Sequence, residues 1–348
     1  MTLIGRGGGQ KGGVEVPERG NASLRDVAER AGVSVGTVSH VLNHPERVSP
    51  PLRAKVTAAI TELKFVRSGA ARQLRQGRST MVGLVVFDIG NPFYTDAARA
   101  IEDTLSAEGL ALVISSSDAE PEREARVVHT LIEQQVRGVI ITPSEGTPDL
   151  LPMLRERGIP VVLLDSPGDV EGFASVGVDD VAGGAMAVRH LLERGHRLIA
   201  VITGPMSVRQ ARDRLRGACR AVTDAGLDPH AVLVPVETEA FTADAGEAAM
   251  TRLLERAEVP TATFAANDVM MIGAMRSLRR QGVRIPADMA LVGYDDIMVA
   301  SELITPLTSV RQPMSDLGRT AAELLLDEAA EKRHVVFQPE LIVRESSR

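Results

Sequence analysis

Residues 24 to 43 read LRDVAERAGVSVGTVSHVLN, two short helical periods meeting around a glycine. Leu24, Val27, Ala28 and Ala31 recur at i, i+3, i+4 and i+7, the spacing of one helix face, and Ser23 stands where an N-cap belongs. Gly32-Val33 breaks the period, and Ser34 offers a second cap. Val38, Val41 and Leu42 then fall on the face of a second helix that packs back on the first, with Ala28 leaving room for close approach. Two short helices about a tight glycine turn make a helix-turn-helix. A third helix is expected from Ser49 or Pro50 to about Leu63, since proline is tolerated in a first turn. Its Leu52, Val56, Ala59, Ile60 and Leu63 would close a small three-helix core, giving a domain over residues 21–66.

A three-helix bundle can equally serve to bind a protein, and charge separates the two readings. Residues 21–80 hold ten Lys or Arg against four Asp or Glu, a net of +6, while the whole chain carries −7. The first 20 residues add +1, so residues 81–348 hold −14. A basic head on an acidic body suits a chain that meets a polyanion at one end only. Thr37, Ser39 and His40 on the outer face of the second helix suit phosphates and base edges in a major groove.

This stretch, together with VSPPLRAKVTAAITELKF at residues 48–65, resembles the DNA-binding head of the LacI/GalR family of bacterial repressors. The resemblance implies that Ser34 to Leu42 is the recognition helix. Val35 and Gly36 would face base edges, Thr37 and Ser39 would approach phosphates, and His40 would be a further base reader. Two departures weaken direct readout: Gly36 has no side chain, and His40 stands where many members carry an arginine, whose bidentate fork an imidazole lacks. Residues 67–79 form the linker, and its SGAARQLRQG at 68–77 is too short for a stable helix alone. In the family the matching segment folds into a hinge helix on operator DNA and wedges a leucine into the minor groove. That implies a wedge role for Leu74, flanked by Ala71 and Arg72; the reading from residues alone is a flexible tether.

From Met81 onward short β-branched runs alternate with helical stretches: MVGLVVF, ALVISSS, GVIITP, PVVLLD, LIAVITG, TATFAAN and MALVGYDD are strand runs. Such alternation predicts parallel sheet with helices on both faces. About ten strands are more than one sheet comfortably holds, so two similar subdomains are expected, with a ligand at the carboxyl ends of the strands between them. The polar residues at those ends (Asn91, Asp165, Asn267, Asp295), with Arg214 and the aromatic Phe93 and Tyr94, suit a polyhydroxylated compound. Taken singly, such Asn and Asp are ordinary helix caps.

The body also resembles the type I periplasmic sugar-binding fold that LacI/GalR proteins carry as a sensor, through stretches such as HLLERGHRLIAVITGP and VGYDD. By that resemblance the effector contacts fall on Asn91, Phe93, Tyr94, Asp165, Arg214, Asn267, Asp295 and Gln312. Ser166 after Asp165 replaces a bulkier basic residue found in other members, which leaves the ligand open. The implied subdomains are 80–178 with 313–339, and 179–311 with 340–348, with crossings near Asp179, near Gln312 and around Gln338–Val343. The implied function is a transcriptional repressor on a pseudo-palindromic double-stranded operator, allosterically controlled by a small polar metabolite such as a sugar, acting as inducer. A corepressor or nucleobase-like ligand is the alternative, and a solute-binding protein of a sugar transporter is a more distant one.

Other classes find little support. No apolar run reaches 18 residues, and the glycine-rich residues 1–20 lack an apolar core, reading as a disordered leader or misassigned start rather than a signal. Cys219 is the single cysteine, the histidines show no metal spacing, and neither Gly7-Gly8-Gly9 nor Gly183-Gly184 sits in a phosphate-loop context. No nucleophile elbow is present. The expectation is a cytoplasmic protein, not an enzyme, without metal or cofactor. With no leucine-heptad tail after VVFQPELIVRESS, a homodimer is expected.

Overall fold

The computed structural model describes residues 22–65, 79–168, 170, 172–327, 329 and 332–348. Residues 1–20 and the linker residues Ala71, Arg72 and Leu74 lie outside them. The chain divides into two compact units, Met1–Gly77 and Arg78–Arg348.

In the first unit α1 (Leu24–Ala31), α2 (Val35–Asn43) and α3 (Pro50–Glu62) pack around Val27, Ala28, Val38, Val41, Val56 and Ala59. Ser23 and Asp26 cap α1 reciprocally, each side chain bonding the other's backbone N–H. Gly32 ends α1 at φ 66°, a left-handed turn that costs glycine little, and Ser34 caps α2 through the Thr37 N–H. The turn between the helices is thus closed at both ends by local hydrogen bonds. Leu52 stays outside the buried cluster, while Ile60 and Leu63 pack on its edge.

The second unit holds two six-stranded sheets. The first contains β1 (Met81–Val86), β2 (Ala111–Ser116), β3 (Gly138–Ile141), β4 (Val161–Leu164), β5 (Ala174–Val178) and β11 (His334–Phe337), in the order β11-β5-β4-β3-β1-β2. The second contains β6 (Ile199–Ile202), β7 (Leu233–Val236), β8 (Ala262–Ala265), β9 (Ala290–Asp295), β10 (Thr308–Arg311) and β12 (Glu340–Ile342), in the order β12-β10-β9-β8-β6-β7. All neighbours run parallel except β12 on β10. Both sheets therefore repeat one winding, and in each the order reverses beside its first strand, where α/β folds open a crevice. The strand count is twelve among the described residues, not about ten. Ala174–Val178, Leu233–Val236 and Thr308–Arg311 escape a hydropathy reading because glycine, proline, serine or arginine interrupts runs only four or five residues long. VVFQPELIVRESS, which reads as one last strand, is two strands in different sheets, His334–Phe337 and Glu340–Ile342.

The helices of this unit are α4 (Pro92–Ala107), α5 (Pro121–Glu133), α6 (Thr147–Glu156), α7 (Asp180–Glu193), α8 (Arg209–Asp224), α9 (Pro229–Val232), α10 (Ala243–Leu254), α11 (Asp268–Arg280), α12 (Met298–Glu302) and α13 (Met314–Leu326). The chain passes between the two halves after β5, after β10 and between β11 and β12. The Gly183-Gly184 pair is a packing device. A Cβ on Gly184 would lie 2.0 Å from the Arg214 carbonyl oxygen, and one on Gly217 would lie 2.1 Å from that of Val181. Only glycine lets α7 and α8 cross this closely, and their crossing fixes the backbone of Arg214. No helix among the described residues is long and apolar enough to cross a membrane.

Candidate ligand cavity and DNA-facing helix

The carboxyl ends of β1, β4, β8, β9 and β10 deliver residues to one cavity of about 440 Å³, part of it open to solvent. Asn91, Phe93, Tyr94, Asp165, Arg214, Asn267, Asp295 and Gln312 all line it. Phe87, Asp88, Val208, Gln210 and Phe241 join them; Asp88 is legible in the sequence as a polar residue after the first strand run, whereas sequence reasoning missed the other four.

The aromatic side is built mainly by the first half. Phe93 packs edge-on to Tyr94 with ring centroids 4.9 Å apart, and Phe87 meets Tyr94 at 6.2 Å. Phe241 comes from the second half, where Gly204 leaves its ring room: a Cβ there would sit 2.2 Å from the ring. Burial, reinforced by Asp165 and Asp295, holds the Tyr94 hydroxyl well above its ordinary titration range, so it stays protonated.

The polar side is held by a buried network. Gln210 donates to Asp165 Oδ2 at 2.7 Å and to the Asp165 carbonyl at 3.1 Å, joining the two halves. Arg209 also donates to that carbonyl, at 2.7 Å, and to Asp213 at 2.7 Å. Gln312 donates to Asp295 Oδ1 at 2.7 Å. Arg214, 4 % exposed, donates from Nε to Asp180 at 2.8 Å and from Nη1 to the Ala266 carbonyl at 2.5 Å, and its guanidinium lies 3.7 Å from the Tyr294 ring centroid. Asn91 and Asn267 double as caps, accepting from the Phe93 and Met270 N–H groups. Arg212, by contrast, is exposed and binds the Met206 and Ser207 carbonyls.

Electrostatics bear most on two of the three cavity carboxyls, Asp165 and Asp295. Burial, with Asp180 adding repulsion, raises Asp165 to about 7 against the pull of Arg209 and Arg214. Burial raises Asp295 to about 6, opposed by Arg214 and by hydrogen bonds from Gln312 and Asn91. Burial alone would depress Arg214, but Asp180, Tyr294 and Asp295 reverse it and keep the guanidinium charged. Both carboxyls sit at positive φ, 55° for Asp165 and 103° for Asp295, a conformation that concentrates at sites where backbone strain serves binding.

One property decides what the cavity accepts. Asp165 Oδ1, Asp295 Oδ2, Gln210 Oε1 and Gln312 Oε1 are buried without a hydrogen-bond partner. The amide oxygens are acceptors, and so are the carboxyl oxygens once ionised, which suits a ligand rich in donors. Among the described residues no group of His, Cys, Asp and Glu is arranged to hold a metal ion.

In the first unit the residues expected to meet DNA share α2 and its cap. Ser34, Val35, Gly36 and His40 are exposed and Thr37 and Ser39 half-buried. The Thr37 hydroxyl lies 2.9 Å from that of Ser34, and Ser39 accepts from the Asn43 amide. A Cβ on Gly36 would meet only Ser34 Oγ, at 3.6 Å, so nothing inside the head requires glycine there.

A helix-turn-helix head carried ahead of a two-sheet body with a polar and aromatic cavity between its halves defines a DNA-binding regulator with a sensor domain. Residues 23–68 match the model of bacterial regulatory proteins of the lacI family, and residues 188–347 match that of the periplasmic binding protein-like domain. The HTH-type transcriptional regulator CelR of Thermobifida fusca is 39 % identical over 339 residues, covering 94 % of this chain and 99 % of the relative. A lac repressor dimer bound to operator and the anti-inducer ONPF superposes with a TM-score of 0.80 at 31 % identity, covering 94 % of this chain and 99 % of that one. A CelR–cellobiose complex superposes with a TM-score of 0.68 at 37 % identity, covering 94 % and 100 %. The chain belongs to the lacI family of bacterial regulatory proteins. It is a sequence-specific DNA-binding transcriptional repressor, and its relatives are regulators rather than enzymes.

Proposed function

We propose that this repressor is a cytoplasmic homodimer released from a pseudo-palindromic operator by a sugar bound in the cavity between the halves of its body. The unpartnered acceptors on Asp165, Asp295, Gln210 and Gln312 carry this reading. A buried acceptor left without a donor costs about 1–3 kcal/mol, and sugar hydroxyls supply the missing donors. Asp165 and Asp295 accept from hydroxyls, while Arg214 and Asn267 face ligand oxygens. Asn91 and Gln312 steady Asp295, and Phe93 and Tyr94 give an apolar wall to a sugar-ring face. The similar CelR is solved with cellobiose, which supports the same ligand class here.

On the DNA side, Ser34, Thr37 and Ser39 meet phosphates, and Val35, Gly36 and His40 meet base edges. Ala71, Arg72 and Leu74 form the minor-groove hinge. Met298, Val299 and Ile304, respectively 77 %, 43 % and 98 % exposed, are apolar side chains that pairing of two bodies would cover. Effector binding changes the angle between the halves, and a coupling of about 1–3 kcal/mol suffices to alter operator occupancy. Titrating operator affinity by fluorescence anisotropy with cellobiose, glucose and ribose tests this. At least one sugar is expected to weaken binding roughly five-fold or more. Tightening would make the sugar a corepressor, and indifference to all sugars with a response to purine bases would overturn the ligand class.

A further inference from the structure

Asp180 opens α7 directly after the chain leaves β5, and it is buried to 2 % exposure. It does not line the cavity, yet it holds the cation that does. Its Oδ1 accepts from Arg214 Nε at 2.8 Å and from the Tyr294 hydroxyl at 3.1 Å, and its Oδ2 accepts from Arg209 Nη2 at 3.3 Å. Among the lining residues Arg214 is the sole cation, whereas Asp88, Asp165 and Asp295 are carboxyls. Asp295 Oδ1 approaches Arg214 Nη1 no closer than 4.0 Å, so Asp180 is the nearer counter-ion.

An asparagine at position 180 could accept the same Arg214 hydrogen bond through its amide oxygen. What it lacks is the charge. With Asp180 present the guanidinium reaches the cavity already neutralised, beside the buried unpartnered acceptors of Asp165, Asp295, Gln210 and Gln312. A phosphate or carboxylate entering here would lose its hydration, meet Asp165 and Asp295, and find no cation free of a carboxylate partner. A hydroxyl meets none of these penalties.

We infer that Asp180 is a specificity-determining residue that acts through Arg214: it restricts the effector to uncharged polyhydroxy compounds and excludes sugar phosphates and sugar acids. This rests on the cavity being the effector site, as proposed above. It adds to the repulsion from Asp165 and Asp295 a neutralisation of the one cation in the lining. Asp180 is a positioning and charge-balancing residue and touches no ligand itself.

The experiment measures binding to the full-length protein by calorimetry with paired probes: glucose and glucose 6-phosphate, ribose and ribose 5-phosphate, guanosine and its 5′-monophosphate. Inorganic phosphate is tested separately by thermal shift. Wild type is expected to bind a neutral member and no anionic member, and to be unmoved by phosphate. Asp180→Asn should bind the neutral ligand roughly 10-fold or more weakly, because a buried charge pair is broken. It should also acquire affinity for the anionic partner and be stabilised by inorganic phosphate. Asp180→Glu, which restores the charge, should restore the exclusion of phosphate even where it weakens the sugar. Wild type binding an anionic probe, or Asp180→Asn with native circular dichroism responding to phosphate as wild type does, would overturn the inference. Failure of the sugar reading looks different. There only the nucleoside pair responds, or no pair does, and the phosphate arm still decides the role of Asp180.

Discussion

Gln210 in α8 and Asp165 after β4 are joined across the cleft, the amide donating to the carboxyl at 2.7 Å and to the carbonyl at 3.1 Å. One residue belongs to each half of the body, so this contact responds to any change in the angle between them. The same pair also presents two of the unpartnered acceptors, Asp165 Oδ1 and Gln210 Oε1. A ligand that engages these oxygens therefore acts on the clasp between the halves.

Gln210→Ala removes the donor and leaves a buried carboxyl oxygen unsatisfied. The expected loss is about 1–3 kcal/mol of stability in the effector-free protein, read from urea denaturation. Gln210→Glu should lose more at pH 8 than at pH 5, because it sets a second carboxyl against Asp165.

Stability should fall as pH rises through the range set by Asp165 and Asp295. Their carboxyls titrate near 4 when unfolded but at about 7 and about 6 in the fold, for which burial is the main cause. Between those limits the folded protein holds more protons than the unfolded chain, so the contribution of these groups is full below pH 4 and is lost as pH climbs through 6 and 7. Urea midpoints without effector should be higher at pH 5 than at pH 8. Hydroxyl donors favour the ionised carboxyls, so effector binding should release protons and strengthen over the same interval. Calorimetry in buffers of different ionisation enthalpy reads that release.

Glycine-to-alanine changes should have opposite signs in the two units. Gly184→Ala puts a methyl 2.0 Å from the Arg214 carbonyl oxygen, forcing α7 from α8. It should cost about 1–3 kcal/mol or more and weaken effector binding, since the backbone of Arg214 moves. Gly36→Ala meets only Ser34 Oγ at 3.6 Å and should stabilise the head by about 0.5–1 kcal/mol. Melting temperatures of the two variants test the contrast. An altered operator preference in Gly36→Ala would tie that glycine to base reading.

Leu74→Ala should weaken operator binding far more than binding to non-specific DNA. Non-specific affinity comes from phosphate neutralisation and depends on salt, which an apolar wedge does not change. Anisotropy titrations on both DNAs at one salt concentration test it, and equal loss on both would remove the wedge role.

Local sequence determined the elements because their signals are local. Ser23, Gly32 and Ser34 mark helix ends through hydrogen bonds that span only a few residues, and the long strand runs such as MVGLVVF announce buried strands by composition. The short strand Leu233–Val236, with a proline inside it, becomes a strand only because β6 lies beside it to pair with. Asp165, Asn267 and Asp295 were legible as strand-end residues, but two of the eight predicted residues, Asn91 and Asn267, are also caps, and sequence does not separate those roles.

Asp180 and Gln210 carried no such signal. Each stands in the first turn of an ordinary helix, where a carboxylate or amide is unremarked. The sequence by itself determined a DNA-binding head, a two-sheet body and most of the polar lining, because periodicity, capping and strand-end position act within a few residues. Only the tertiary structure decided which carboxylate neutralises Arg214 and which amide ties the halves together. Residues 34 and 45 positions apart in the chain meet there, and burial turns ordinary side chains into counter-ion and clasp.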